Sequence, residues 1–258
     1  MQAQFEMWST FHYFMMIFPF VLAIFLYKMT QEKSLAVKRR VAIMLGIILV
    51  LILTTRQIYI FNNEGLGPEV FPFQVCHFAN ILLLIVAINP NLRVTAAIAW
   101  CLNFPAGLVS IIFADGLESY SNVLNTQGLA YISGHMLIVT MGLYLLLTRM
   151  IQVDWRALIK AYKVLAMLYL LSVIVNNWFV AIFDEQSNYF YSYVPEAGTP
   201  LEDLYNLGST IEVFGLTFNP AYLLSLAVVG AAVMFLMYLL AKLRYVNHSP
   251  KAHRRLAN

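Results

Sequence analysis

Charge is what this chain has least of. Asp, Glu, Lys and Arg make up 11% of its 258 residues, where a soluble domain carries about 25%. That excludes an ordinary water-soluble domain. The chain also lacks cysteine pairs. Cys76 and Cys101 both lie in apolar runs, so neither a disulfide framework nor a CxxC metal site is suggested. There is no basic n-region followed by a small-residue cleavage site, so no removable signal peptide is expected. Internal repeats and low-complexity segments are absent. What is there is hydrophobic: 61% of the residues are apolar by type. A membrane helix needs about 20 such residues in a row, and the first run, Phe11 to Leu26, is long enough to be a permanent span.

Seven such stretches fall at roughly 9–29, 41–62, 72–88, 93–114, 128–151, 159–183 and 217–242. The expectation is an all-α, polytopic membrane protein, a bundle of seven transmembrane helices forming one membrane domain over 1–258. Charge placement tests that count. With the 28–40 loop on the inside, all of the 16 Lys and Arg residues fall on the inside except Arg56, which lies within a span. All of the 13 acids except Glu32 and Asp154 fall outside. Lys and Arg bias sets orientation, so the N-terminus is expected outside and the C-terminus inside. A plasma-membrane, multi-pass location follows as the expectation.

The inner loops are short: Asn89-Pro90-Asn91 is a tight turn, and Gln152 to Arg156 forms another. Short loops imply antiparallel neighbours. Outside, 115–127 begins with the turn former Asp115-Gly116, and 184–216 carries Pro195 and Pro200. The latter is too long for a plain connector. It reads equally well as a lid over an outward-facing site or, through Leu204, Leu207, Ile211 and Phe214, as an interfacial segment. The basic tail from Lys242 to Arg255 suits anionic lipid.

Polar groups inside the spans cluster at one depth. Cys76 and His77 open span three, His135 lies in span five, Arg56 in span two, and Asn176 and Asn177 in span six. His12 and Asn219 lie near the outer ends of spans one and seven. The inner half is nearly all apolar. A shared depth points to one outward-facing polar pocket, since intramembrane polar groups are costly and tend to mark function. Each also has a plain reading: a histidine in a span is often only an interhelical hydrogen-bonding group. Arg56 needs an anionic or carbonyl partner, with Glu64, Glu69, Glu212 or a lipid phosphate as candidates, or it snorkels. Cys101, beside Trp100, reads as a small hydrophobe, and Asn103 and Pro105 as a packing contact and a kink.

A thiol becomes a good nucleophile when a base takes its proton. His77 follows Cys76 directly and points about 100° away on a helix, so His135 is the better placed base. Asn80 shares a face with Cys76 at i+4. Asn80, Asn176 or Asn177 would orient the imidazole or donate to an oxyanion. Acyl transfer or ester cleavage on a lipid is the matching reaction. The rival chemistry is zinc held by His12, His77 and His135, but the chain has no HxxxH pair and no Asp within a span. No metal and no other cofactor is therefore called for.

These residues resemble a family. Pro72-x-x-x-Cys76 at the entry to span three, His135 in span five, the Asp154-Trp155-Arg156 turn and the Asn188-Tyr189 pair are similar to the YwaF-like integral membrane proteins and their relative, the transmembrane protein 164 type. The pattern departs in having Val70-Phe71-Pro72-Phe73 where Leu-Pro-Leu precedes the cysteine. The resemblance implies a seven-span bundle and a phospholipid acyltransferase working through a cysteine and a histidine, which here are Cys76 and His135. Its partner is then membrane phospholipid. Three classes compete. The first is this lipid acyltransferase or lipid-ester hydrolase, with Arg56, His77, Asn80, Asn176 and Asn177 in support. The second is a non-enzymatic subunit that binds lipid or a membrane protein partner through the same pocket. The third is a transporter, disfavoured by the apolar inner half and the missing repeat. Nothing suggests a nucleic acid as partner.

Overall fold

The computed structural model describes residues 4–114, 117, 120, 122–196 and 198–246, the side chains of 244–246 excepted. The expected Asp115-Gly116 turn and the Lys251 to Arg255 part of the basic tail lie outside these residues. Seven stretches are helical, long and apolar enough to cross a membrane: Thr10–Thr30, Leu35–Glu64, Pro68–Ile88, Arg93–Phe113, Thr126–Leu147, Trp155–Phe183 and Pro220–Leu243. The protein is an all-α polytopic bundle.

Its helices are α1 (Thr10–Thr30), α2 (Leu35–Glu64), α3 (Val75–Ile88), α4 (Arg93–Ile98), α5 (Phe104–Phe113), α6 (Thr126–Leu147), α7 (Trp155–Phe183), α8 (Leu201–Tyr205) and α9 (Pro220–Val246). Helix α6 is central. It packs on α1, α2 and α5, and 61% of its apolar stretch is buried against 11% for α9. With no hydrophobic force between helices in lipid, close backbone approach does the packing. Gly46 of α2 is one such place: a Cβ there would stand 2.9 Å from the Leu84 Cα of α3.

Helix α7 starts at Trp155 rather than 159 and α6 ends at Leu147 rather than 151, and α2 and α3 depart from the sequence reading for physical reasons. Helix α2 starts at Leu35 rather than 41 and runs 30 residues, about 45 Å at 1.5 Å per residue. Its first turns, with Lys38, Arg39 and Arg40, therefore extend beyond a hydrocarbon layer of about 30 Å. Helix α3 has only 14 residues, about 21 Å. The rest of that crossing is a 3-10 turn, Pro68–Val70, and four extended or bent residues. Irregular backbone at such depth needs partners from protein. Gln57 of α2 supplies them, its Nε2 donating to the carbonyls of Glu69 (2.9 Å) and Val70 (2.6 Å).

Between α4 and α5 the chain makes a π-helical turn, Ala99–Asn103. The Phe104 N–H reaches back five residues to the Ala99 carbonyl, and Pro105 follows with no N–H to give. The kink expected at Asn103 and Pro105 takes this form. Trp100 Nε1 donates to the Met237 carbonyl at 2.8 Å, tying the turn to α9.

The two ends of the bundle differ in charge. At the base-rich end Arg39 donates to the carbonyls of Ala87 and Ile88, which close α3, and Arg93 pairs with Asp154 at 2.9 Å. Asp154 also caps α7 by accepting from the Ala157 N–H at 2.8 Å. That bond first, with Arg93 adding to it, holds its carboxyl below the usual range against the opposing effect of burial. At the acid-rich end lies the long segment after α7. It holds a 3-10 turn (Tyr189–Tyr191), α8, and an antiparallel hairpin, β1 (Ile211–Val213) and β2 (Leu216–Phe218). Ile211 and Phe214, read from sequence as interfacial, stand exposed at this hairpin, Phe214 fully so at its tip.

Candidate functional site

Cys76 is the second residue of α3 and half-buried. Its sulfur lies within reach of the N–H groups of Cys76 and His77 in the first helical turn, the second of which also donates to the Gln74 carbonyl at 3.0 Å. His77 and Asn80 follow on the same side of α3 and are 6% and 5% exposed. His77 Nδ1 and Asn80 Oδ1 have no hydrogen-bond partner among the described residues. A buried polar atom left unpaired costs about 1–3 kcal/mol, so such atoms call for an explanation.

Arg56 of α2 faces this side. One of its terminal nitrogens donates to Glu69 Oε2 at 2.9 Å and the other to Gln57 Oε1 at 2.8 Å. Of the three rim acids that could have reached it, Glu69 does. Glu64 instead accepts from Gln127 at 3.1 Å, and Glu212 sits in the exposed hairpin. Arg56 is within electrostatic reach of Cys76, His77 and His135, and the two imidazoles are within reach of each other.

His135 of α6 is 7% exposed. Its Nδ1 is 2.8 Å from the Tyr131 carbonyl, one turn earlier. A carbonyl only accepts, so Nδ1 carries the proton and Nε2 keeps its lone pair. Among the described residues no hydrogen bond engages Nε2. The Tyr131 ring lies against the imidazole at a 46° tilt with centroids 4.2 Å apart, and its hydroxyl donates to the Ser110 carbonyl at 2.9 Å. The imidazole is thus held in one tautomer by the carbonyl of Tyr131 and flanked by the ring of the same residue.

Other expected members of the pocket are engaged elsewhere. His12 accepts from the Trp8 N–H at 3.0 Å through Nδ1, so Nε2 is the donor to the Ile111 carbonyl at 2.9 Å. It staples α1 to α5. Asn219 caps α9 through the Tyr222 N–H and donates to the carbonyls of Tyr205 and Gly208. Asn176 accepts from the Tyr189 N–H and Ser187 hydroxyl and donates to the Tyr189 carbonyl and Ser192 hydroxyl. Asn177 brackets Thr217, accepting from its N–H at 2.7 Å and donating to its carbonyl at 3.1 Å. These two amides, expected beside the imidazole, instead fasten the long segment to α7. Cys101 is fully buried in the core. Among the described residues no three of His, Cys, Asp and Glu gather closely enough to hold a metal ion.

The fastened segment covers the entry to α3. Gln74 donates to the Asn188 carbonyl, Tyr189 donates to the Pro68 carbonyl at 2.5 Å, and its ring meets Phe73 edge-on at 5.4 Å. Phe190 and Tyr191 both adopt left-handed backbone, with φ of 57° and 53°. Two bulky residues in that region are strained, a state that persists only when surroundings impose it. Tyr191 is close to Cys76 and Glu196; burial first, then these neighbours, push its phenol up. Tyr120 reaches Arg56, which partly offsets the upward push of burial on that phenol. Tyr131 also lies close to Cys76 and Tyr191. Three phenols therefore gather at Cys76 and Arg56 from three elements. The sequence reading missed them, because tyrosines scattered at positions 120, 131 and 191 show no shared spacing.

On the other side of α3 lies a cavity of 190 Å³, between α3, the π turn and α7. Val75, Phe78 and Leu82 face it, so it is separate from the Cys76 side.

No curated protein and no solved structure matches the chain. A model of the TMEM164 family matches residues 7–238, from before α1 into α9. With that match over most of its length, and with seven membrane-crossing helices, the chain belongs to the TMEM164 family, a family of multi-pass membrane proteins.

Proposed function

We propose that this protein is a lipid acyltransferase or lipid-ester hydrolase, with Cys76 as nucleophile and His135 as base. What supports the reading is the gathering of Cys76 and His135 around Arg56, with the Nε2 lone pair of His135 uncommitted. In this reading His135 Nε2 takes the thiol proton. The sulfur attacks the ester carbonyl of a membrane phospholipid, forming the S–C bond. The carbonyl oxygen gathers negative charge beside the Cys76 N–H at the start of α3, where a donor stabilises it most. The C–O bond then breaks and the leaving alcohol takes the proton from His135. A second hydroxyl, from a lipid acceptor or from water, attacks the thioester; its proton passes to His135 and on to the departing sulfur. Arg56 and the phenols hold the polar end of the substrate, and Asn80 and His77 supply its remaining hydrogen bonds.

The Lys and Arg distribution supports a base-rich end on the cytoplasmic side of a plasma membrane, so that the site opens to the outside. The test is a trapped intermediate. Full-length protein in vesicles of phosphatidylcholine bearing a labelled acyl chain should acquire label that neutral hydroxylamine removes. Cys76→Ser should lose that lability, and His135→Ala should lose the label. Unlabelled wild-type protein would overturn the proposal. In that case, a co-purifying partner lost on altering 184–216 would favour the non-enzymatic binding reading.

A further inference from the structure

We propose that the hairpin β1–β2 is a membrane anchor, whose apolar face and Phe214 ring lie in the lipid leaflet at the acid-rich end of the bundle. Ile211 pairs with Phe218, Glu212 with Thr217 and Val213 with Leu216. Paired residues share a face, and neighbours along a strand alternate between faces. Ile211, Val213, Leu216 and Phe218 therefore form one face, and Glu212 and Thr217 the other. The apolar face is not packed away within the chain, since both Ile211 and Val213 are exposed.

The turn between the strands is Phe214-Gly215, with φ of 53° and 77°. A two-residue turn with positive φ at both positions favours Asn, Asp or Gly at the first. A bulky aromatic there is strained, and this one is fully exposed. Among the described residues the ring has no packing that would offset the strain. Such a conformation persists where something else imposes or rewards it, and for a fully exposed ring that is a contact outside the chain.

Depth identifies that contact as lipid. Asn177 of α7 holds both backbone groups of Thr217, which fixes the hairpin to a membrane-crossing helix. Helix α7 has 29 residues, about 43 Å, so a centred helix extends about 7 Å beyond a 30 Å hydrocarbon layer at each end. Asn177 lies six residues before the end of α7 at Phe183, about 9 Å. Thr217 is thus held at the boundary between headgroups and acyl chains. Trp178, next to Asn177, is 50% exposed, as tryptophans at that boundary are. After β2 only Asn219 precedes α9, whose Leu224 is 67% exposed. Both helices that adjoin the hairpin therefore turn apolar side chains to lipid at this level. A second copy is the weaker occupant: β1 has three residues, and edge-to-edge pairing would bring two Glu212 carboxylates together.

Full-length Cys76→Ser protein, in which Cys101 is buried away from thiol reagents, is given either Phe214→Cys or Glu212→Cys and labelled with a nitrobenzoxadiazole fluorophore. It is reconstituted in phosphatidylcholine vesicles, with or without a nitroxide on the acyl chain, and with iodide on both sides. Fluorescence at 214 should be lost to the nitroxide lipid and not to iodide, and at 212 to iodide. Nitroxides at graded depths should place the 214 probe about 5–10 Å into the headgroup and acyl boundary. Equal loss to iodide at both positions overturns the proposal. So does a 214 probe shielded from both quenchers, which means that protein, a second copy or a partner, covers the tip. Unaltered protein gives a second readout: phosphatidylcholine with a diazirine near the ester end of its acyl chain should cross-link to Val213 or Phe214. Cross-links confined to the membrane-crossing helices overturn the anchor. Cys76 chemistry enters neither readout, so failure here leaves the proposed function untouched.

Discussion

The two faces of α3 show how one short helix separates two environments. Cys76 and His77 lie within electrostatic reach of Arg56 of α2, and His77 also of His135 of α6; Asn80 shares the Cys76 side of the helix at i+4. Val75, Phe78 and Leu82 look into an apolar cavity against α7. At about 100° per residue the centres of these two sets are half a turn apart. The polar face has charge, unpaired polar atoms and phenols; the apolar face has room and a single unpaired amide beyond it. Both meet the strained Phe190-Tyr191 pair at the acid-rich end, Phe190 in the cavity and Tyr191 near Cys76.

Substitutions that break this division should differ in size. The largest effect is on the polar face: Cys76→Ala should lower acyl transfer by about 10⁴-fold or more, read as labelled product from vesicles, with a thermal midpoint near that of wild type. His135→Ala should cost about 10²- to 10⁴-fold in the same assay. Asn176→Ala removes partners of Ser187, Tyr189 and Ser192 together, and should destabilise by about 2–4 kcal/mol. Its sharper readout is hydrogen exchange: protection should fall in 184–192, and maleimide labelling of Cys76 should speed up. Unchanged labelling would mean that the segment does not cover the cysteine. Gly46→Ala pushes α3 away from α2 and should cost about 1–3 kcal/mol, read as a lowered thermal midpoint.

The smallest effect lies far from both faces. Asp154→Ala removes the α7 N-cap and should cost about 1 kcal/mol. Because its carboxyl is held below the usual range, its stabilisation is fully present above the unfolded value of about 3.9 and is lost as pH falls through the lower, folded value. An acid titration of the thermal midpoint should show this step in wild type and not in the variant. Acyl transfer should not respond to either.

The seven crossings were readable residue by residue, because cost in a bilayer is a local property of about 20 neighbouring side chains. Depth along two apolar runs singled out Cys76 and His135 as candidates, and each lies within electrostatic reach of Arg56. Chain sequence did not show that Asn176 and Asn177 face the long segment rather than the imidazole. An amide in a span looks the same whichever neighbour satisfies it. Nor did it show α3 as only 14 residues: the apolar run continues through Pro72, and the crossing is completed by backbone that Gln57 of another helix satisfies.

Sequence alone therefore determined which segments enter the membrane, since hydropathy and charge act along the chain without reference to partners. Tertiary structure alone decided which polar atoms are satisfied and which are left over. Hydrogen bonds are short and directional, so which atoms of His77, Asn80 and Asn103 go without a partner among the described residues is settled only once the helices have chosen their neighbours.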